Sequence, residues 1–137
     1  MTPHCYKWLA VYFFWSLATC ASAQTTLDGQ EKRVLNLTKS SWAHFRDFNS
    51  KQLIYFTHLE AYRCAIQIVR YSLNGDALDR EWALQPCDPA KPHNIKTDRP
   101  YLSLPLKSAQ SITVELTYLD GSKSALTRIA SDNRLIE

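Results

Sequence analysis

A small, mainly β domain stapled by one disulfide is what this sequence predicts, and three observations predict it. Short runs rich in aromatic and β-branched residues recur with turn signals between them. Two of those signals, Asn74-Gly75 and Asp120-Gly121, are dipeptides that close tight hairpins. Two cysteines, Cys64 and Cys87, remain once an export signal is set aside.

That signal occupies the first 23 residues. Met1 to Lys7 carries a basic residue and no acid, Trp8 to Leu17 is apolar apart from Ser16, and Ala18 to Ala23 is small and ends in Ala21-Ser22-Ala23. This pattern predicts a signal peptide cut between Ala23 and Gln24. The apolar run is too short for a membrane anchor, which needs about 20 such residues. Leu17-Ala18-Thr19-Cys20 offers a rival, lipidation at Cys20, but Thr19 stands where a smaller residue is usual. The expected organisation is a signal peptide at 1–23, a flexible polar leader at 24–32 and one β-rich domain at 33–137. The expected location is periplasmic or extracellular.

Charge narrows the partners. The sequence has 16 Lys and Arg against 13 Asp and Glu, a net charge of +3, and Lys7 leaves with the signal peptide. The charges are interspersed and the longest basic run is Lys32-Arg33. A nucleic-acid protein would concentrate them on one face. So weak a net charge also speaks against electrostatic docking on a membrane.

Along the chain, Arg33 to Thr38 reads as a first strand, and Asn36-Leu37-Thr38 is a glycosylation sequon. Trp42, Phe45 and Phe48 fall three apart after a Ser pair able to cap a short helix, and core packing is the expected fate of that stripe. Gln52 to Thr57 is a strong strand candidate.

Residues 57–75 admit two readings. As a helix, Leu59, Tyr62, Ile66, Val69 and Leu73 share a face, Thr57 and Glu60 form a capping box, and Gly75 stops the run. As a strand, Ala65 to Leu73 is dense in β-formers and meets Asn74-Gly75. The cysteines favour the strand. With 74–77 as a four-residue loop, the numbers of cross-strand partners share one sum, and 64 and 87 share it too. A disulfide can span the distance between such neighbours. Closing the 64–87 loop contributes about 3 kcal/mol in the chain-entropy model. A redox-active pair would more often be spaced Cys-x-x-Cys.

Residues 88–100 hold three prolines and few apolar side chains, a surface loop in which Lys91, His93, Lys96 and Arg99 mark a possible binding surface. Tyr101 to Leu106 alternates and Pro105 suggests an edge strand, open to a partner strand. In the last hairpin Ile112, Val114, Leu116 and Tyr118 share one face, Asp120-Gly121 turns, and 124–130 returns.

The run Val69 to Gly75, with the hairpin 111–124, resembles immunoglobulin-like β-sandwich accessory modules of secreted carbohydrate-active enzymes. The resemblance spans about half of the mature chain at hairpin level. It implies an immunoglobulin-like sandwich with a tendency toward binding, and carries over no functional residue. Cys64 and Cys87 are too close in sequence for an antibody-type bridge between sheets. The alternative is an α+β fold with a helix at 58–73.

No catalytic motif accompanies this fold. His44, His58 and His93 lack metal-ligand spacing, and no G-x-S-x-G or glycine-rich phosphate loop occurs. Asp76, Asp79 and Glu81 read as a solvated hairpin flank. The sequence therefore predicts no cofactor and no metal, and a non-enzymatic binding module for a protein or glycan. The alternatives are an inhibitor of a secreted or host enzyme, whose braced loop enters an active site, and a small hydrolase.

Overall fold

The computed structural model describes residues 24–136. The expected signal peptide, Ala23 on one side of its cleavage site, and Cys20 lie outside the described residues. Helix α1 (Gln24–Leu37) is followed by a 3-10 turn at Lys39–Ser41, then β1 (His44–Phe48) and β2 (Lys51–Tyr55). A short helix α2 (Thr57–Ala61) and a 3-10 turn at Arg63–Ala65 lead into β3 (Ile66–Leu73) and β4 (Arg80–Trp82). The chain ends with β5 (Tyr101–Pro105), β6 (Ser111–Tyr118), β7 (Thr127–Ala130) and β8 (Leu135–Ile136).

The eight strands make two antiparallel sheets, β1-β2-β5 and β4-β3-β6-β7-β8. One hydrophobic cluster joins them: Phe45 and Ile54 from the first sheet meet Val69, Val114, Leu116 and Ile129 from the second. The last hairpin forms as its alternation requires, with Ile112, Val114, Leu116 and Tyr118 all buried. The chain is mainly β, in two sheets, with one disulfide.

Residues 33–38 differ from the expected strand. Residues 33–37 complete α1, Thr38 lies just past its end, and the segment expected as a flexible leader enters the same helix. Helical spacing explains this, because residues four apart share a face. Lys32 lies over the Tyr118 ring, 5.0 Å from its centroid, while Asn36 accepts a hydrogen bond from the Tyr118 hydroxyl at 3.0 Å. Leu35, one turn beyond Glu31, is fully buried, and its carbonyl accepts from the Trp42 indole at 2.9 Å. A strand would set Lys32 and Asn36 about 13 Å apart along the chain, too far for both to meet one tyrosine.

The short helix expected near residue 41 is also corrected. Only a 3-10 turn forms, and β1 begins at His44. Trp42 and Phe45 are core residues, whereas Phe48 is 57 % exposed. In β1 the alternation of sides, not a three-residue period, decides which ring is buried.

Both readings of 57–75 hold in part. The helix stops at Ala61, and β3 runs from Ile66. The capping box does not form: Phe56 is the N-cap, and Thr57 lies inside the helix. The strand register is the one expected, with Val69 opposite Trp82, Arg70 opposite Glu81 and Tyr71 opposite Arg80. The turn differs in detail. Asn74 and Gly75 both adopt positive φ, 57° and 76°, and Asp76 N–H closes on Leu73 O at 3.0 Å. This is the two-residue primed turn that the dipeptide favours. Ala77 and Leu78 then detour before β4 and restore the register.

Candidate functional site

Between β4 and β5 lie eighteen residues, 83–100, with no helix or strand. Loops of this length are uncommon in small domains and are usually functional or disordered. This one is held in a single shape from beneath, and the residues that hold it precede β3.

Arg63 is the centre of that hold. Its guanidinium is buried, with 2 % of the residue exposed. Nε donates to Pro86 O at 2.9 Å, and one terminal nitrogen donates to Pro92 O at 3.2 Å and Glu60 O at 2.9 Å. Prolines lack an N–H, so backbone pairing alone leaves such a segment short of partners, and the five donors of arginine reach its carbonyls. The second terminal nitrogen is buried without a partner.

Glu60 lies just before it and is 1 % exposed. Its carboxylate accepts from the Trp82 indole at 2.9 Å and from Gln85 N–H at 3.2 Å. A buried carboxylate needs such donors to offset the loss of water. Trp82 in turn packs on Phe56, with ring centroids 4.8 Å apart. The Cys64–Cys87 disulfide closes beside this pair, with Cα atoms 4.8 Å apart, one cysteine in the turn before β3 and the other in the loop. The bond expected from the cysteine pair is thus present. A cleft of about 520 Å³ runs alongside, lined by Leu84, Gln85, the disulfide, Pro89 and His93.

The far end of the loop is tied to α1. His93 Nδ1 lies 2.9 Å from Ala61 O, and Nε2 lies 3.5 Å from the Glu31 carboxylate. Its ring meets Tyr62 edge-on at 5.2 Å, and Tyr62 meets His58 at 5.0 Å. His58 Nε2 is 2.8 Å from the Thr38 hydroxyl, which itself donates to Val34 O at 2.7 Å. With the threonine proton so engaged, His58 is the donor in that contact. Partial burial lowers its pKa.

The four residues expected as a binding surface all lie on this loop, but they do not act alike. Lys96 is paired with Asp88 at 2.8 Å, and that hydrogen bond holds the Asp88 carboxyl below its ordinary range. His93 is spent on Ala61 and Glu31. Among the described residues, Lys91 and Arg99 make no side-chain ion pair, and both are exposed. The positive bias read from the sequence thus narrows to these two.

Arg63 was absent from the sequence expectations, and Glu60 was expected only as half of a capping box. A signal existed: two opposite charges three apart, set among the apolar positions Leu59, Tyr62 and Ile66 and next to Cys64. Charges inside an apolar stripe are rarely fully buried unless paired or hydrogen-bonded. Among the described residues no group of three or more His, Cys, Asp or Glu side chains is placed to hold a metal ion. No helix among them is long and apolar enough to cross a membrane. Compared with known proteins, the chain matches no family model, and neither a curated protein nor a solved structure is similar to it.

Proposed function

We propose that this chain is an exported binding module, built as an immunoglobulin-like sandwich, whose contact surface is the braced loop 83–100. The observation that carries the reading is the Arg63 hold on Pro86 and Pro92 next to the disulfide. A loop already fixed in its bound shape loses little conformational entropy on binding. A buried arginine and a disulfide are costly devices for a segment that only connects two strands. Export is supported by the disulfide itself, a bond that persists in oxidising compartments. The partner is a protein or a glycan, met by Lys91 and Arg99 on the loop and by the apolar wall of the cleft.

The same bracing supports a second reading, an inhibitor of a secreted or host enzyme. A rigid loop that enters an active site competes with substrate and forms a stoichiometric complex.

The test is capture from the native extracellular or periplasmic fraction, with wild-type protein and a Lys91→Glu/Arg99→Glu variant side by side. Both positions are exposed, so folding should be unaffected. A partner retained by wild type and lost by the variant supports the loop as the contact surface. Equal retention by both removes the loop from that role. Inhibition of a captured enzyme, abolished by the same variant, selects the inhibitor reading.

A further inference from the structure

One end of the three-stranded sheet presents apolar side chains to solvent inside a basic rim. The register aligns Phe48, Lys51 and Pro105 across β1, β2 and β5. Three positions along the ladder, the row Phe45, Ile54 and Leu102 points into the core. Alternation therefore sends Phe48, with Arg46 two residues earlier, to the outward face. The Phe48 ring is 57 % exposed and Leu106, just beyond β5, is 47 % exposed.

The turn that carries Phe48 is tight, with Asn49 and Ser50 both at positive φ, 51° and 58°. Lys107, at φ 57°, turns the chain on the other side. Around these two apolar residues stand Arg46, Lys51 and Lys107, all exposed. The Arg46 guanidinium lies 5.1 Å from the Phe48 ring centroid. The acids nearby are Asp47 and Asp132, and Asp132 is engaged by Arg134 at 2.7 Å. A cleft of about 330 Å³ opens beside the tip, with Arg46, Lys107 and the acid Asp47 in its wall together with Gln110 and Ser131.

We propose that this tip docks on an anionic lipid surface, with Phe48 and Leu106 entering the interface and Arg46, Lys51 and Lys107 meeting phosphate groups. The small net charge of the whole chain averages this local excess away. Charge complementarity selects the occupant, because apolar side chains ringed by cations match a bilayer boundary whose headgroups carry negative charge. The cations snorkel, laying apolar stems along the inserted residues while their heads stay in water.

The experiment is co-sedimentation of the disulfide-intact protein with vesicles of phosphatidylcholine, alone or with about a third phosphatidylglycerol, at several salt concentrations. Binding to the anionic vesicles should fade as salt is raised from about 0.05 to 0.5 M. Phe48→Ser/Leu106→Ser should weaken it at least about tenfold. Lys51→Gln and Lys107→Gln should each weaken it about fivefold. Far-UV circular dichroism and Tm should match wild type for all of these, since each site is exposed. No sedimentation with anionic vesicles overturns the proposal, as does equal binding to phosphatidylcholine alone. It also fails if the tip variants bind like wild type, or if Lys91→Gln/Arg99→Gln on the distant loop weakens binding as much.

Discussion

The carboxamide of Asn133 satisfies both backbone polar groups of Phe45: Oδ1 accepts its N–H at 2.6 Å, and Nδ2 donates to its carbonyl at 3.1 Å. Asn133 sits in the turn between β7 and β8, so a side chain here stands in for a strand and joins one sheet to the other. Gln52 does the same from β2. Its amide, buried with 3 % exposed, pairs with Ala109 N–H and C=O at 2.8 and 2.9 Å. Asn74, in the β3–β4 turn, pairs in the same way with Ser108 O and Gln110 N–H of the β5–β6 connection. Apolar contact alone would let two small sheets slide, whereas these paired bonds fix their register against each other.

Asn133→Gly should therefore loosen the sheet contact without straining the turn. Asn133 has a φ of 66°, which glycine adopts freely and alanine does not. The loss should be about 2 kcal/mol, from two neutral hydrogen bonds and a less ordered turn. Tm should fall by about 8 °C with far-UV circular dichroism unchanged. Hydrogen exchange should rise first at Phe45. A Tm within a degree of wild type would show that water replaces the carboxamide at no cost.

Arg63→Met tests the hold on the loop. Methionine fills much of the same space, but Pro86 O, Pro92 O and Glu60 O lose their donor. The cost should be about 3 kcal/mol, because hydrogen bonds from a charged donor are the stronger kind. Limited proteolysis should then cut within 83–100, where wild type resists. Unchanged resistance would mean that the disulfide suffices to shape the loop.

Much of this fold was legible, for identifiable reasons. Alternation along Ile112 to Tyr118 survives because one face is core and the other is solvated. The β3–β4 register followed from a cysteine pair and an Asn-Gly turn, two signals that constrain the same ladder. What failed was local preference overruled by distant partners. Arg33 to Thr38 looks like a strand in a six-residue window. It is a helix because Tyr118, 82 positions from Asn36, takes up the helical pair Lys32 and Asn36. For the candidate site, loop 88–100 and its rim lysine and arginine were legible from prolines and charge. The Arg63 clamp left only the sign of a charged pair inside an apolar stripe, since its partners are backbone carbonyls, which leave no mark in sequence.

Cys64→Ala/Cys87→Ala should cost about 3 kcal/mol in the chain-entropy model. The bridge joins positions 23 apart. Arg63 still grips the loop in this variant, so the effect should fall on the unfolded state more than on the native shape. Denaturant midpoints should drop while nuclear magnetic resonance shifts in β6 and β7 stay in place. Combining it with Arg63→Met should cost more than the two losses added, because each brace alone keeps the loop near its carbonyl partners.

Stability should also depend on pH through His58. Burial lowers its pKa in the folded chain below the ordinary 6.5. The unfolded chain therefore takes up the proton first. The stabilisation is fully present above pH 6.5 and is lost as pH falls toward the lowered folded value. Asp88, Asp120 and Asp132 are also lowered, all below 3.8, with Asp120 at about 2, but here hydrogen bonds to the charged form are the cause. Asp120 owes this first to the Ser122 hydroxyl and then to Lys32. Their contributions are complete above pH 3.8 and fade only in stronger acid, whereas that of His58 begins to fade below pH 6.5. His58→Gln keeps a donor for Thr38 but cannot take up a proton. In urea denaturation at pH 7.5, 6.5, 5.5 and 4.5, wild type should lose stability across the middle of that range, and the variant should lose markedly less. Parallel profiles for the two proteins would place the pH dependence elsewhere.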